Sequence, residues 1–315
     1  MSEGPLLRLG GLQVRYGDTE SVRGLDLEAR EGEVVGLIGP DGAGKTSTLR
    51  VLAGLLQPSG GEALAFGLPI WAHRRALHQR VGYLAQRFAL YGDLTVDENI
   101  QFFALMYSVE DWHRRRDELL RRVELLRFRG RLAEQLSGGM KQKLALACTL
   151  IHSPEVLLLD EPTTGVDPVT RRELWRFLGE LVGEGLTLVV ATPYLDEAER
   201  CSRVVLMDHG GKLADAPPRE IPKRLPGRMV EVSGGPREAV VHTLEAVRGA
   251  ADVTVFGASV HARLEGVDDP VAEVRRALGD ADLQADDVRE IHAGLEDTFL
   301  YLTANDSPRS PREAV

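Results

Sequence analysis

The sequence has 315 residues, 43% of them hydrophobic, and a formal net charge of −10. This predicts a soluble protein with one large and one smaller domain, and the negative charge argues against a dominant nucleic-acid-binding role. The longest apolar runs, such as VLLL at 156–159, are far shorter than the roughly 20 residues that cross a bilayer. We therefore expect any membrane association to come through a partner.

The start of the sequence, MSEGPLLRLGG, lacks a cationic segment followed by a long apolar stretch, so no secretory signal is predicted and we expect a cytoplasmic protein. Two cysteines occur, Cys148 and Cys201, each without neighbouring residues at metal-ligand spacing. They are predicted to be reduced packing residues.

Residues 1–214 alternate short β-rich runs with helical patterns, which predicts an α/β domain with a largely parallel sheet. The strand candidates are continuously apolar, as in strands buried on both faces. They are VVGLIG at 34–39, VGYLA at 81–85, VLLLD at 156–160 and TLVVAT at 187–192. At about 87–150 this alternation gives way to helical spacing in ENIQFFALMY, DELLRRVELL and KLALACTLI. We expect a helical subdomain inserted there.

Four prolines within 215–227 indicate a linker. Beyond it, residues 228–304 show the order βαββαβ followed by a helix, which predicts a small ferredoxin-like α/β domain. The strand candidates are MVEV at 229–232, VTV at 253–255, VHARL at 260–264 and a run near LQADDVREI. The tail 305–315, containing SPRSPREAV, is expected to be disordered.

A glycine-rich loop, GPDGAGKT at 39–46, lies between a buried strand and a helical segment. Its pattern of Gly, four residues and Gly-Lys-Thr allows backbone amides to surround phosphate oxygens. Lys45 would neutralise the terminal phosphates, and the Thr46 hydroxyl would ligate magnesium. The pattern predicts a nucleotide site whose residues are Gly39, Asp41, Gly42, Ala43, Gly44, Lys45, Thr46 and Ser47.

Two carboxylates end the apolar strand in VLLLDEP at 156–162. Asp160 is suited to hold magnesium, and Glu161 to polarise an attacking water. Asp-Glu after an apolar strand is a weak pattern by itself, because many strands end in a solvated acid. The phosphate loop upstream makes the catalytic interpretation of Asp160 and Glu161 more specific.

A second anion site is indicated by LSGGMKQKLALA at 136–147, where Ser-Gly-Gly begins a helix. With these motifs in order, the span from Tyr16 to about Gly211 resembles the P-loop ATP-binding cassette (ABC) ATPases. In that family the Leu-Ser-Gly-Gly signature of one subunit closes over the phosphate loop of another. The resemblance implies that Ser137, Gly138 and Gly139 contact the γ-phosphate of ATP bound by a second subunit.

The resemblance assigns roles to three further residues, each with an ordinary structural alternative. Tyr16 would stack on adenine, or simply pack against the domain. Gln86 would reach magnesium and the attacking water, or be an ordinary loop amide. Asp167, in TTGVDP, would signal across the dimer, or cap a helix. The implied catalytic residues are Glu161, Gln86 and Lys45, and the implied magnesium ligands are Thr46, Gln86 and Asp160.

Two positions depart from the family pattern. Asp41 stands where a neutral residue is common, which places a carboxylate close to a polyanion. Pro193 stands where a switch histidine normally follows a threonine and contacts the γ-phosphate, and proline has neither an ionisable side chain nor a backbone N–H. We therefore expect ATP binding and dimer closure with slow or partner-dependent hydrolysis. The alternative is a fully active enzyme that uses another residue in place of the histidine.

The spacing between the motifs and the sequences beside them indicate the branch of the family. Only residues 87–136 separate Gln86 from Ser137, too few for the long coiled coil of a repair ATPase, and there is one cassette rather than two. YGDLTVDENIQFFALMY and GLEDTFLYLT resemble ATPase subunits of exporters with type-2 permeases, closest to the bacterial multidrug branch. This implies a peripheral protein on the cytoplasmic face of the membrane, bound to a polytopic permease and a second ATP-binding subunit. The alternative is a non-transport ABC regulator of a soluble partner.

Overall fold

The computed structural model describes residues 4–87 and 90–306. The chain divides into two compact units between Pro217 and Pro218. In the described residues, no helix is both long enough and apolar enough to span a bilayer.

The first unit contains two sheets and seven α-helices in its described residues. In chain order its elements are β1 (Leu7–Tyr16), β2 (Thr19–Ala29), β3 (Val34–Ile38), α1 (Lys45–Leu52), β4 (Gly60–Ala65), β5 (Leu68–Pro69), α2 (Ile70–Leu77), β6 (Val81–Leu84), α3 (Val96–Met106), α4 (Trp112–Arg122), α5 (Gly138–Leu150), β7 (Val156–Asp160), α6 (Pro168–Gly183), β8 (Thr187–Thr192), α7 (Leu195–Ala198), β9 (Arg203–Asp208) and β10 (Gly211–Ala216).

The larger sheet has the strand order β10-β9-β3-β8-β7-β6. Its five strands from β9 to β6 are parallel, and every residue of β3, β7 and β8 is buried, which confirms the predicted sheet. Because parallel strands end at the same edge, the segments after β3, β6, β7 and β8 meet there. This edge holds the phosphate loop, Gln86, Glu161 and Pro193.

The smaller sheet has the order β2-β1-β4-β5, with antiparallel pairs. Leu7 of β1, Leu49 of α1 and Leu37 of β3 belong to one buried cluster, so α1 is fixed between the two sheets. This packing holds the helix that begins at the phosphate loop.

The predicted helical subdomain is confirmed. Among the described residues of 87–150 the structure has the helices α3, α4 and α5, two three-residue 3₁₀ turns and no strand. A capping box starts α3: the Glu98 N–H donates to Thr95 Oγ1 at 3.2 Å, and the Thr95 N–H donates to Glu98 Oε2 at 2.8 Å. Residues 88 and 89 lie outside the described residues.

The second unit has the predicted ferredoxin-like order βαββαβ plus a helix. Its elements are β11 (Arg228–Ser233), α8 (Arg237–Glu245), β12 (Ala250–Phe256), β13 (Ser259–Leu264), α9 (Pro270–Asp280), β14 (Asp287–Ile291) and α10 (Leu295–Asp306). The sheet order is β12-β13-β11-β14, and every pair is antiparallel.

Two predicted boundaries were wrong by two residues. Asp215 and Ala216, assigned to the linker, pair with Val205 and Val204 and end β10, because the proline-rich composition begins only after that strand. Residues 305 and 306, assigned to the tail, end α10, where the Asn305 side-chain amide donates to the Tyr301 carbonyl at 2.8 Å. The remaining tail, 307–315, lies outside the described residues.

Candidate nucleotide site

The phosphate loop requires glycine at two positions for different reasons. A Cβ on Gly39 would lie 2.1 Å from the Met207 carbonyl oxygen, so the loop runs directly against β9. Gly44 has a φ of +96°, and its Cβ would lie 2.5 Å from the Ser21 carbonyl oxygen. Only glycine therefore allows this loop to lead into α1.

Lys45 is 4% exposed and closes the loop on itself. Its Nζ donates to the carbonyl oxygens of Gly39 at 2.7 Å and Pro40 at 2.8 Å. Burial lowers the pKa of Lys45, while Glu161, Asp41 and Asp160 oppose that shift. The exposed Asp41, unusual for the family pattern, thus favours the charged form of the lysine that would meet phosphate.

Asp160 is 1% exposed and accepts two hydrogen bonds from neighbouring elements. Thr46 Oγ1 donates to Oδ1 at 2.9 Å, and the Tyr83 hydroxyl donates to Oδ2 at 3.1 Å. Burial raises the pKa of Asp160, and these two donors oppose the shift. Burial and Asp160 together raise the pKa of Tyr83 to about 12, so Tyr83 remains a donor at neutral pH. A hydroxyl beside a carboxylate is an oxygen-donor set suited to Mg²⁺.

Glu161 follows Asp160 with a left-handed φ of +50°. Its Oε2 accepts from Gln86 Nε2 at 2.9 Å and from Thr164 Oγ1 at 3.1 Å. Its N–H donates to the Ala191 carbonyl at 2.8 Å. The side chain is therefore oriented by two donors at the sheet edge, in a conformation that a glutamate rarely adopts.

Tyr16 ends β1 and is 43% exposed. Its hydroxyl lies 3.4 Å from Ser47 Oγ, which in turn lies 2.8 Å from Ser21 Oγ. The ring is therefore both tethered to the first turn of α1 and open to solvent. Within the loop itself, the Ala43 N–H donates to the Pro40 carbonyl at 3.2 Å.

The signature residues form a separate cluster where α5 and α6 begin. Ser137 caps α5 by accepting from the Met140 N–H at 3.3 Å. Asp167 caps α6 by accepting from the Val169 and Thr170 N–H groups at 3.0 Å, which lowers the pKa of Asp167. A Cβ on Gly139 would lie 2.8 Å from Thr170 Cγ2.

The hydrogen bonds of the described residues do not join this cluster to the phosphate loop. Ser137 and Gly138 are exposed at the start of their helix. No hydrogen bond of the described residues therefore connects the two predicted anion sites directly. For Asp167 the structure shows the helix-capping alternative, and signalling across a dimer stays a prediction.

Pro193 lies just after β8, at the same sheet edge. The Tyr194 N–H donates to the Thr192 hydroxyl at 3.1 Å, and the Arg171 guanidinium lies 4.7 Å from the centre of the Tyr194 ring. The switch segment is therefore held by its neighbours, while position 193 itself offers no ionisable group.

The sequence alone missed Tyr83 and Thr164, although both contact predicted site residues. Tyr83 is a polar residue within an apolar strand that ends two residues before Gln86, and Thr164 lies three residues after Glu161. These positions were the only signals available.

Residues 22–164 match the family model described as ABC transporter. The chain is 36% identical to the daunorubicin resistance ATP-binding protein DrrA3 of Streptomyces coeruleorubidus, over 98% of both proteins. The chain belongs to the ABC transporter family.

This ABC protein is also 42% identical to the probable multidrug ABC transporter ATP-binding protein YbhF of Escherichia coli K12. That alignment covers 94% of the chain but 52% of YbhF, so the chain spans about half the length of this relative. Among solved structures, a dimeric ATP-binding cassette in a post-hydrolysis state, bound to ADP and phosphate, matches with a TM-score of 0.61 at 26% identity. It covers 67% of this chain and 98% of that one.

Proposed function

We propose that this ABC protein binds ATP with Mg²⁺ and hydrolyses it, as the ATP-binding subunit of an exporter. The observation that carries the proposal is the juxtaposition of Thr46 with Asp160 and of Gln86 with Glu161 at one sheet edge, beside the phosphate loop. Each pair supplies a different requirement of phosphoryl transfer, namely metal binding and water positioning.

The residues divide the chemistry among them. Lys45 would exchange its two loop carbonyls for the terminal phosphates of ATP. Thr46 and Asp160 would hold Mg²⁺, which supplies charge neutralisation on the phosphate oxygens when bound. Glu161 would orient a water and accept its proton as the water attacks, with Gln86 holding the carboxylate in place.

A second subunit is required to complete the site. Ser137 and Gly138 present the amino end of α5 to solvent, a place where backbone N–H groups bind anions. The matching dimeric cassette with ADP and phosphate supports ATP-driven pairing of two such subunits. We propose that each phosphate loop is capped by the partner's signature, in a homodimer or a heterodimer.

An apolar patch on the helical subdomain supports a membrane partner. It consists of Tyr91, Phe102, Leu105 and Met106, which are 45%, 38%, 63% and 54% exposed. The loop beneath it is fixed, because the buried Asn99 side chain accepts from the Tyr91 N–H at 2.9 Å and donates to the Tyr91 carbonyl at 3.0 Å. A rigid exposed apolar surface is typical of a protein-binding site.

We propose that this patch receives a cytoplasmic helix of a polytopic permease and places the protein on the cytoplasmic face of the membrane. The relatives named for multidrug transport and daunorubicin resistance favour a drug or small amphipathic compound as the exported molecule. ATP-driven closure of the two subunits would then move the permease between its two access states.

Purification from detergent-solubilised membranes tests the exporter assignment. A polytopic membrane protein should co-purify with the wild type, and Leu105→Glu should abolish this by placing a charge in the patch. Leu55→Glu is the matched control, because Leu55 is 55% exposed outside the patch. Recovery of only soluble partners would contradict the exporter and favour the ABC regulator.

A further inference from the structure

Glu197, in the short helix α7, is a carboxylate with no exposed surface. Its Oε1 accepts from Thr163 Oγ1 at 2.5 Å and from Trp175 Nε1 at 3.1 Å. Removing a carboxylate from water is costly unless donors surround it. Thr163, in the turn after β7, and Trp175, in α6, therefore both donate to this one oxygen.

The same cluster contains two unsatisfied polar atoms. In the described part of the chain, Glu197 Oε2 and Arg171 Nε are buried and lack a hydrogen-bond partner. Arg171 Nε lies 3.9 Å from Glu197 Oε1, beyond hydrogen-bond distance. Buried groups of this kind are rare in folded proteins and call for an explanation. A small movement of either side chain would pair them.

The cluster joins three segments that surround the proposed catalytic residue. Thr163 follows Glu161 by two residues, Arg171 and Trp175 belong to α6, and Glu197 follows Pro193 by four residues. Its contacts therefore link the catalytic segment to the switch segment without using position 193.

Arg171 extends the link to the rest of the switch segment. Its guanidinium lies 4.7 Å from the centre of the Tyr194 ring, and its Nη1 lies 3.3 Å from Asp196 Oδ2. The start of α6 is in turn capped by Asp167, beside the signature residue Gly139. A movement of α6 would thus reach Glu197 through side chains already in contact with it.

We propose that Glu197 is a positioning residue that couples the switch segment to the segment carrying Glu161, through its bonds to Thr163 and Trp175. This rests on the proposed ATP hydrolysis. Glu197 supplies a rigid connection at the edge where proline replaces the residue that normally contacts the γ-phosphate. Arg171 Nε and Glu197 Oε2 are the groups that pair when the site closes around ATP.

The test is Mg²⁺-dependent ATP hydrolysis by the full-length protein carrying Glu197→Gln, which keeps the shape and removes the charge. We expect kcat to fall about tenfold, as for the loss of one coupled contact, with KM for ATP, ATP-binding stoichiometry and Tm near the wild-type values. Glu199→Gln is the matched control, because Glu199 is exposed next to α7. It should leave kcat unchanged.

A double-mutant cycle separates coupling from a purely structural effect. Thr163→Val removes the hydroxyl donor, so its combination with Glu197→Gln should be no slower than the slower single variant. Multiplying effects, or an unchanged kcat in Glu197→Gln, would overturn the proposal.

A second variant keeps the proposal testable if Glu197→Gln does not fold. Trp175→Phe removes the Nε1 donor and should also lower kcat, and an unchanged kcat there would overturn the proposal. If the wild type hydrolyses ATP and these variants have the same kcat, the coupling is refuted but the proposed function is not. A wild type that binds ATP but never hydrolyses it would refute the proposed function as well.

Discussion

Tyr83→Phe removes one of the two hydrogen bonds that the described structure gives to the Asp160 carboxylate. If the Thr46 hydroxyl were used to ligate Mg²⁺, Tyr83 would remain a donor that orients Asp160. A hydrogen bond to a charged group contributes about 1.5–3 kcal/mol. The loss therefore predicts that the Mg²⁺ concentration for half-maximal ATP hydrolysis rises roughly ten- to hundredfold.

The same variant should also change the pH dependence of kcat/KM. Asp160 must be ionised to hold a cation, and burial raises its pKa, so activity should fail on the acid side at a higher pH than an ordinary aspartate would cause. Tyr83 opposes that shift, so Tyr83→Phe should move the acid limb to still higher pH.

The assay is hydrolysis as a function of Mg²⁺ and pH, with Tyr107→Phe as the matched control. Tyr107 is partly buried and stacks on the His152 ring, and burial rather than a neighbouring carboxylate raises its pKa. Tyr107→Phe should leave both profiles in place. Unchanged Mg²⁺ and pH profiles in Tyr83→Phe would refute the assignment of Asp160 as the metal-holding carboxylate.

Three further predictions concern the loop, the switch and the second half-site. Gly44→Ala should lower Tm more than Gly42→Ala. Both positions have a positive φ, which costs roughly 1–2 kcal/mol for alanine, but only a Cβ on Gly44 would clash with a backbone oxygen, that of Ser21. Equal Tm values for the two variants would contradict this. Pro193→His should raise kcat for ATP by supplying a γ-phosphate contact, and an unchanged or lower kcat would count against slow hydrolysis. Asp167→Ala should lower Tm at neutral pH by removing the α6 cap. Because the pKa of Asp167 is lowered in the folded protein, the difference in Tm should be full above the ordinary aspartate pKa. It should vanish as the pH falls through the lowered pKa of the folded protein. A difference that grows with acid would refute it.

The sequence predicted those parts of the site that lie within single motifs. Lys45 and Thr46 are consecutive in the phosphate loop, and Asp160 and Glu161 end one apolar strand, so each pair could be assigned from its own motif. The largely parallel sheet and the ferredoxin-like second unit were predicted for the same reason, namely clear apolar periodicity between turns.

Contacts between distant segments were not predictable. Tyr83 reaches Asp160 across 77 positions because β6 and β7 are neighbours in a fixed register, and Thr163 reaches Glu197 across 34 positions because α7 follows β8. Neither register is encoded in a local pattern. Boundaries such as the end of β10 depend on pairing with β9 rather than on composition.

Mg²⁺-dependent ATP turnover by the wild type beside Glu161→Gln tests the central claim most directly. The wild type should hydrolyse ATP, and Glu161→Gln should bind ATP equally well but turn it over on the order of 10² to 10³ times more slowly, because its amide cannot accept the water's proton. Equal turnover by the two proteins, or no ATP binding by the wild type, would contradict the proposed function.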